Sequence, residues 1–245
     1  ATARQVWQGI AGLLLIDSDE AEALELPKAY GIDDIPLVLQ DRRFNRDGSM
    51  PYQPSMHDGM AGLIGNIPMV NGTILPYFTA STTRLRLRLL NGSNASIYGL
   101  EFSDARAFHQ IATDGGLLAA PVEMTHLKLA PGERAEIVVD ISGGAPVQLV
   151  SVARNVSMSG MASMQNPEFT FMEIRAADTL TQSAALPASL IPLPVISAQD
   201  ATNSRNFLLE MGMGMSAMMG NGLTINGDQM DMAVVNQVIK KDELE

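Results

Sequence analysis

The 245-residue chain is acidic, with a formal net charge of −11, and 46% of its residues are hydrophobic against 18% charged. That balance supplies a packed core and excludes wholesale disorder, while the lack of clustered Lys and Arg argues against nucleic acid or an anionic membrane surface as partners. Cysteine is absent, which removes disulfides, thiolate nucleophiles, Cys zinc sites and any copper centre that needs a thiolate from this chain.

In chain order, Ala1-Thr2-Ala3-Arg4-Gln5 carries no signal peptide and reads as the interior of a longer protein. Residues 9–16 form the nearest thing to a membrane span, but Asp17 ends the run far short of the roughly 18 residues needed. The run predicts a buried strand instead. Residues 18–26, with a Ser or Asp cap and an Ala/Glu/Leu-rich turn before Pro27, form the one helix candidate. Short strands are predicted at 35–41, 84–90, 97–102, 136–141, 147–152 and 170–174, separated by Gly, Pro, Asn and Asp as in a sandwich or barrel. In 84–90 the period of two is strict: Leu85, Leu87 and Leu89 face a core, and Arg84, Arg86 and Arg88 face water or an interface. Asp114, in Thr113-Asp114-Gly115-Gly116, reads as a turn residue, and Asp33-Asp34 and Asp17-Ser18-Asp19-Glu20 as solvated acidic surface.

From 176 to 206 the composition turns to Ala, Ser, Thr and Pro, an extended linker passing over a surface. Strand-like sequence returns at Phe207-Leu208-Leu209-Glu210. Asn71-Gly72 and Asn226-Gly227 each follow β-prone residues and predict tight turns. With the linker between them, they suggest two tandem β domains.

Sixteen methionines are many for this length. Met211, Met213 and Met215 alternate and are followed by Met218 and Met219, then Met230 and Met232. Thioether sulfur is a soft ligand that selects Cu(I) over hard cations, and Gly212, Gly214 and Gly220 permit close approach. Five methionines and three glycines make a poor core, although methionine is also an adaptable filler. Met158, Met161 and Met164 read as a loop packed on a neighbouring domain. His57, His109 and His126 are isolated, and no phosphate loop, nucleophile elbow or dinucleotide fingerprint appears.

The segments Arg4-Gln5-Val6-Trp7-Gln8-Gly9-Ile10-Ala11-Gly12-Leu13-Leu14-Leu15-Ile16-Asp17, Tyr30-Gly31-Ile32-Asp33-Asp34-Ile35-Pro36-Leu37-Val38-Leu39-Gln40-Asp41, Val70-Asn71-Gly72, Arg86-Leu87-Arg88-Leu89-Leu90-Asn91-Gly92, Gln110-Ile111-Ala112-Thr113-Asp114-Gly115 and Leu129-Ala130-Pro131-Gly132-Glu133-Arg134 resemble, in order, those of bacterial three-domain multicopper oxidases. The methionines place the nearest likeness among the periplasmic copper-efflux (cuprous) oxidases.

The resemblance implies an all-β, cupredoxin-like Greek-key sandwich or barrel. Residues 1–30 would be the last part of a first cupredoxin domain, 31–175 a complete middle domain, 176–206 a linker, and 207–245 the truncated start of a third domain. A parent of this kind oxidises Cu(I) or phenolic substrates and reduces O2 to water in the periplasm, with copper held by His-x-His pairs and a His-Cys-His segment. None of these is present here, so the chain alone is expected to be inactive, to hold no copper tightly and to supply no catalytic residue. Met211, Met213, Met215, Met218 and Met219 are its candidate Cu(I) ligands. Expected partners are the missing outer domains, or another copy meeting exposed strand edges. The family also contains a periplasmic cell-division protein without copper ligands, which is the alternative reading; a free-standing β-sandwich binding module is a third.

Overall fold

The structure, a computed structural model, describes residues 2–153, 167–212, 223–241 and 243–244. The chain divides into two units, Ala1–Leu193 and Pro194–Glu245.

Alternating apolar residues build the first unit. Its strands are β1 (Asp34–Arg42), β2 (Ile67–Val70), β3 (Tyr77–Thr82), β4 (Arg84–Asn91), β5 (Tyr98–Phe102), β6 (Phe108–Thr113), β7 (Gly116–Met124), β8 (Leu127–Leu129), β9 (Arg134–Asp140), β10 (Val147–Ser151) and β11 (Phe169–Thr181). They form a six-stranded sheet ordered β2-β1-β4-β9-β6-β7 and a five-stranded sheet ordered β3-β11-β10-β5-β8. Each sheet contains one parallel pair, β1 with β4 and β3 with β11, in otherwise antiparallel ladders. Leu37, Leu39, Leu85, Leu87, Leu89, Ile137 and Val139 from the first sheet meet Leu100, Phe102, Leu149, Phe171 and Ile174 from the second in one core. This is the expected all-β, cupredoxin-like sandwich.

The strands predicted at 35–41, 84–90, 97–102, 136–141, 147–152 and 170–174 are present, with small shifts at the ends except that β11 runs on to Thr181. β2, β3, β6, β7 and β8 were not anticipated, because their apolar residues neither alternate strictly nor run together. Short helices add α1 (Ala3–Trp7), α2 (Asp19–Glu22) and α3 (Met56–Ala61). The helix expected over 18–26 is confined to α2. Ser18 caps it, its Oγ accepting from the Ala21 N–H at 3.3 Å. Beyond it, Leu24 and Leu26 join Ile111, Val138, Leu117, Leu118, Leu186 and Leu190 in a second apolar cluster on the outer face of the six-stranded sheet. A helix continued to residue 26 would compete with that burial.

Three expectations are overturned. Residues 9–16 form no strand and are mostly exposed, with Leu14 86% accessible. A buried strand needs a ladder partner, and no described residue pairs with this stretch. The arginine face of β4 is likewise not wet: Arg86 and Arg88 are only 4% and 6% exposed. Strand pairing sets Asp34 of β1 opposite Arg86 and Glu136 of β9 opposite Arg88, so each guanidinium is flanked by carboxylates from neighbouring strands. Asp34, expected at the surface, is buried for the same reason.

The second unit contains β12 (Leu209–Met211) and β13 (Leu223–Ile225), an antiparallel pair, and a 3-10 turn at Ala198–Asp200. Its large apolar residues, among them Phe207, Leu208, Val235 and Ile239, are exposed. No helix among the described residues is long and apolar enough to cross a membrane.

Candidate functional site

The methionine-rich segment begins on β12. Ladder pairing matches Leu209 with Ile225, Glu210 with Thr224 and Met211 with Leu223. The segment therefore leaves the sheet at Met211 and returns at Leu223. Met211 is the last residue of its strand; Met213, Met215, Met218 and Met219 lie outside the described residues, as do Met158, Met161 and Met164. Met230 and Met232 are exposed beyond β13.

At the end of the β12–β13 ladder away from that connection stands an asparagine. Asn226, at φ +53°, sits in the turn after β13. Its Oδ1 accepts from the Leu208 N–H at 2.7 Å, its Nδ2 donates to the Asn206 carbonyl at 3.2 Å, and its own N–H donates to the Leu208 carbonyl at 2.8 Å. Asn71, at φ +50° after β2, makes the same three bonds to β1: Val38 N–H at 2.8 Å, Pro36 carbonyl at 3.0 Å and Val38 carbonyl at 3.0 Å. In each case glycine follows at positive φ, as a tight turn of this kind requires. The sequence echo is thus a repeated device in which an asparagine side chain extends a strand ladder by one rung.

The imidazoles do not converge. His109 on β6 lies 3.6 Å from Glu123 across the β6–β7 ladder, whereas His126, between β7 and β8, places Nδ1 2.8 Å from Glu101 on β5. The backbone of His57 belongs to α3. Among the described residues no three His, Cys, Asp or Glu side chains group as a metal site. Redox copper centres use clustered imidazoles and a thiolate, and this donor set does not fit them.

Two polar constructions went unseen in the sequence. Trp7, the one tryptophan, is fully buried and donates from Nε1 to the Pro51 carbonyl at 2.9 Å. Arg42 stacks over its ring at 5.4 Å and donates to the Val6 carbonyl at 2.7 Å, fastening α1 to the sandwich. Burial pulls the Arg42 guanidinium below its ordinary range, against the opposing pull of Asp41. Asp41 itself accepts from the buried Tyr98 hydroxyl at 2.8 Å, and burial pushes that phenol well up. A lone tryptophan near a chain terminus was the available signal for this anchor.

The second construction is the arginine network. Arg88 donates from Nε and Nη2 to Asp34 at 2.8 and 2.5 Å and from Nη2 to Asp17 at 2.9 Å. Burial opposes the Arg88 charge, but these carboxylate bonds outweigh it and raise the guanidinium above its ordinary range. Arg86 donates to Glu136 at 2.7 Å. Asp114, as expected, occupies the β6–β7 turn, where it accepts from the Arg134 N–H at 2.9 Å.

No protein-family model matches the chain. Among curated proteins it is similar to the cell division protein FtsP of Salmonella typhimurium, 44% identical over 148 residues, covering 60% of this chain and 31% of that protein. It is also similar to FtsP of Xenorhabdus nematophila, 40% identical over 192 residues, with 78% of this chain and 39% of that protein covered. The chain thus spans well under half the length of these relatives. Among solved structures, the McoA multicopper oxidase of Aquifex aeolicus superposes with a TM-score of 0.76 at 33% identity, over 93% of this chain and 48% of that one. A multi-copper oxidase from Pediococcus acidilactici superposes with a TM-score of 0.80 at 30% identity, over 99% and 47%. In strand topology and over most of its length the chain is thus similar to the multicopper oxidases, and in sequence to the FtsP cell division proteins.

Proposed function

We propose that this chain is the non-catalytic central part of a periplasmic copper-dependent oxidase that acts on Cu(I) or phenolic substrates. Residues 1–30 would close a first cupredoxin domain, 31–175 form the middle one, 176–206 link, and 207–245 open the third. The observation supporting the oxidase reading is the spacing Met211-x-Met213-x-Met215, with Met218 and Met219, in the connection that β12 and β13 bracket. Thioethers in that pattern suit the capture of a soft monovalent cation. The chain's own work in this reading is structural. The sandwich, fastened to α1 through Trp7 and Arg42, holds the outer domains in register, and bound copper elsewhere in the protein supplies the electron transfer. The test is to load the full-length protein with copper and record its visible spectrum together with O2 uptake on adding Cu(I). A blue band with uptake supports the reading; a colourless, inactive copper-treated protein refutes it.

A second reading has its own support. Among curated proteins this chain matches FtsP cell division proteins, 44% identical over 148 residues and 40% over 192. In that reading the same sandwich is a copper-free scaffold for cell division. His-x-His and His-Cys-His segments in the full-length gene favour the oxidase, and their replacement favours the scaffold. A division defect on deletion, unaffected by copper supply, would decide for the scaffold.

A further inference from the structure

Asparagine followed by glycine loses its side-chain amide more readily than asparagine before a bulkier residue, because glycine has no Cβ to keep its nitrogen away from the asparagine side chain. Three such pairs lie among the described residues: Asn71-Gly72, Asn91-Gly92 and Asn226-Gly227. In the reaction the glycine nitrogen attacks the asparagine Cγ; the N–Cγ bond forms, the Cγ–Nδ2 bond breaks and ammonia leaves. Water then opens the cyclic imide to aspartate or isoaspartate. The dipeptide is the same in all three places, so the fold decides which pair reacts.

Cγ reaches the glycine nitrogen only when the side chain is free to turn, and all three side chains are held. Asn91 is fully buried, and its Nδ2 donates to the Ser96 and Leu129 carbonyls, both at 2.8 Å. Asn71 and Asn226 are exposed, and each is tied through Oδ1 and Nδ2 to the neighbouring chain segment. Reaction at either waits for its ladder to open, and the rate follows the open fraction. The two ladders differ. β1 pairs with β2 over four residues and with β4 over six, and its Leu37 and Leu39 are buried in the core with Val70 of β2. β12 and β13 pair over three residues in a sheet of two strands, with Leu209, Leu223 and Ile225 74%, 69% and 51% exposed. An isolated hairpin of this kind is marginally stable in water, since little apolar surface leaves solvent to hold it shut.

We propose that Asn226 is a site of spontaneous deamidation, released often enough to react while the sandwich, and with it Asn71 and Asn91, stays closed. The product dismantles the bracket: a carboxylate oxygen replaces the Nδ2 donor and faces the Asn206 carbonyl, which repels it. Deamidation therefore loosens the β12–β13 ladder irreversibly, at the end away from the methionine-bearing connection. The chemistry needs only water, and neither functional reading is required for it.

The test uses the whole chain carrying Asn221→Ser, which removes an Asn-Gly pair that lies outside the described residues. During incubation in mildly alkaline buffer, peptide mapping by mass spectrometry, with isoaspartyl methyltransferase labelling, should show Asn226 converting at least tenfold faster than Asn71 or Asn91. In urea, where no ladder remains, the three rates should converge. Hydrogen exchange gives an independent measure of opening. The Leu208 N–H, which donates to Asn226 Oδ1, should exchange at least tenfold faster than the Val38 N–H, which donates to Asn71 Oδ1. Asn71 or Asn91 reacting as fast as Asn226 in the folded chain overturns the proposal, as does a difference that persists undiminished in urea, or equal protection of the two amides.

Discussion

Replacing Asp34 with Asn removes one charge from the arginine network while nearly preserving shape. The Asp34 side chain is 3% exposed, and those of Arg86 and Arg88 are 5% and 7% exposed. Asp34 meets Arg88 at 2.5 Å and lies 3.9 Å from Arg86. Removing one partner of a buried pair costs about 3–5 kcal/mol, because the other charge stays buried and uncompensated. Glu136, 2.5 Å from Arg86 and 3.8 Å from Arg88, still serves both cations. The expected loss is therefore at the low end, about 3 kcal/mol, which for a chain of this size lowers Tm by about 6–12 °C. Asp17→Asn is the internal control. Asp17 touches the same Arg88 at 2.9 Å, but its side chain is 49% exposed, so solvent screens it and the loss should stay below about 1 kcal/mol. Urea unfolding followed by circular dichroism and by Trp7 fluorescence measures both variants, at low and high salt. Only the Asp17 effect should shrink with salt, since exposed pairs are screened and buried ones are not. Equal, small losses for the two variants would refute the claim that burial gives this network its weight.

Other outcomes follow from single contacts. Asn71→Ala forfeits two side-chain hydrogen bonds and leaves a Cβ at positive φ, so it should cost about 2–3 kcal/mol in urea unfolding; Asn71→Gly relieves the backbone part and should cost less. Gly65→Ala should disrupt the β1–β2 connection, because its Cβ would lie 2.2 Å from the Arg42 backbone nitrogen, where no flexible side chain can yield; loss of soluble folded protein in expression trials checks this. Asp58 is held well below the usual carboxylate range, first by its Arg43 bonds and then by Ser55, against opposing burial. A depressed folded pKa stabilises above the unfolded value of about 3.9 and loses that stability as pH falls below it. Arg43→Met should thus flatten the stability–pH curve below about pH 4, measured by thermal melts, with little change in its slope near neutrality.

Much of this architecture was legible in the chain itself. Strict alternation in 84–90 placed Leu85, Leu87 and Leu89 in the core, and the two Asn-Gly pairs marked turns whose hydrogen bonds agree to within a few tenths of an ångström. These are local signals: a period of two and a demand for positive φ belong to a few neighbouring residues. The absence of cysteine was likewise legible from composition, and the isolation of His57, His109 and His126 from their spacing.

The partners of each side chain were decided only by tertiary structure. Arg86 and Arg88 looked solvent-facing because nothing in their own strand reveals that Asp34, some fifty residues away, and Glu136 stand opposite. Residues 9–16 looked like a buried strand because their apolarity is local, whereas burial requires a neighbouring strand that no described residue supplies. Sequence sets what each residue prefers; long-range pairing sets what it meets, and charge burial and ligand geometry depend on the latter.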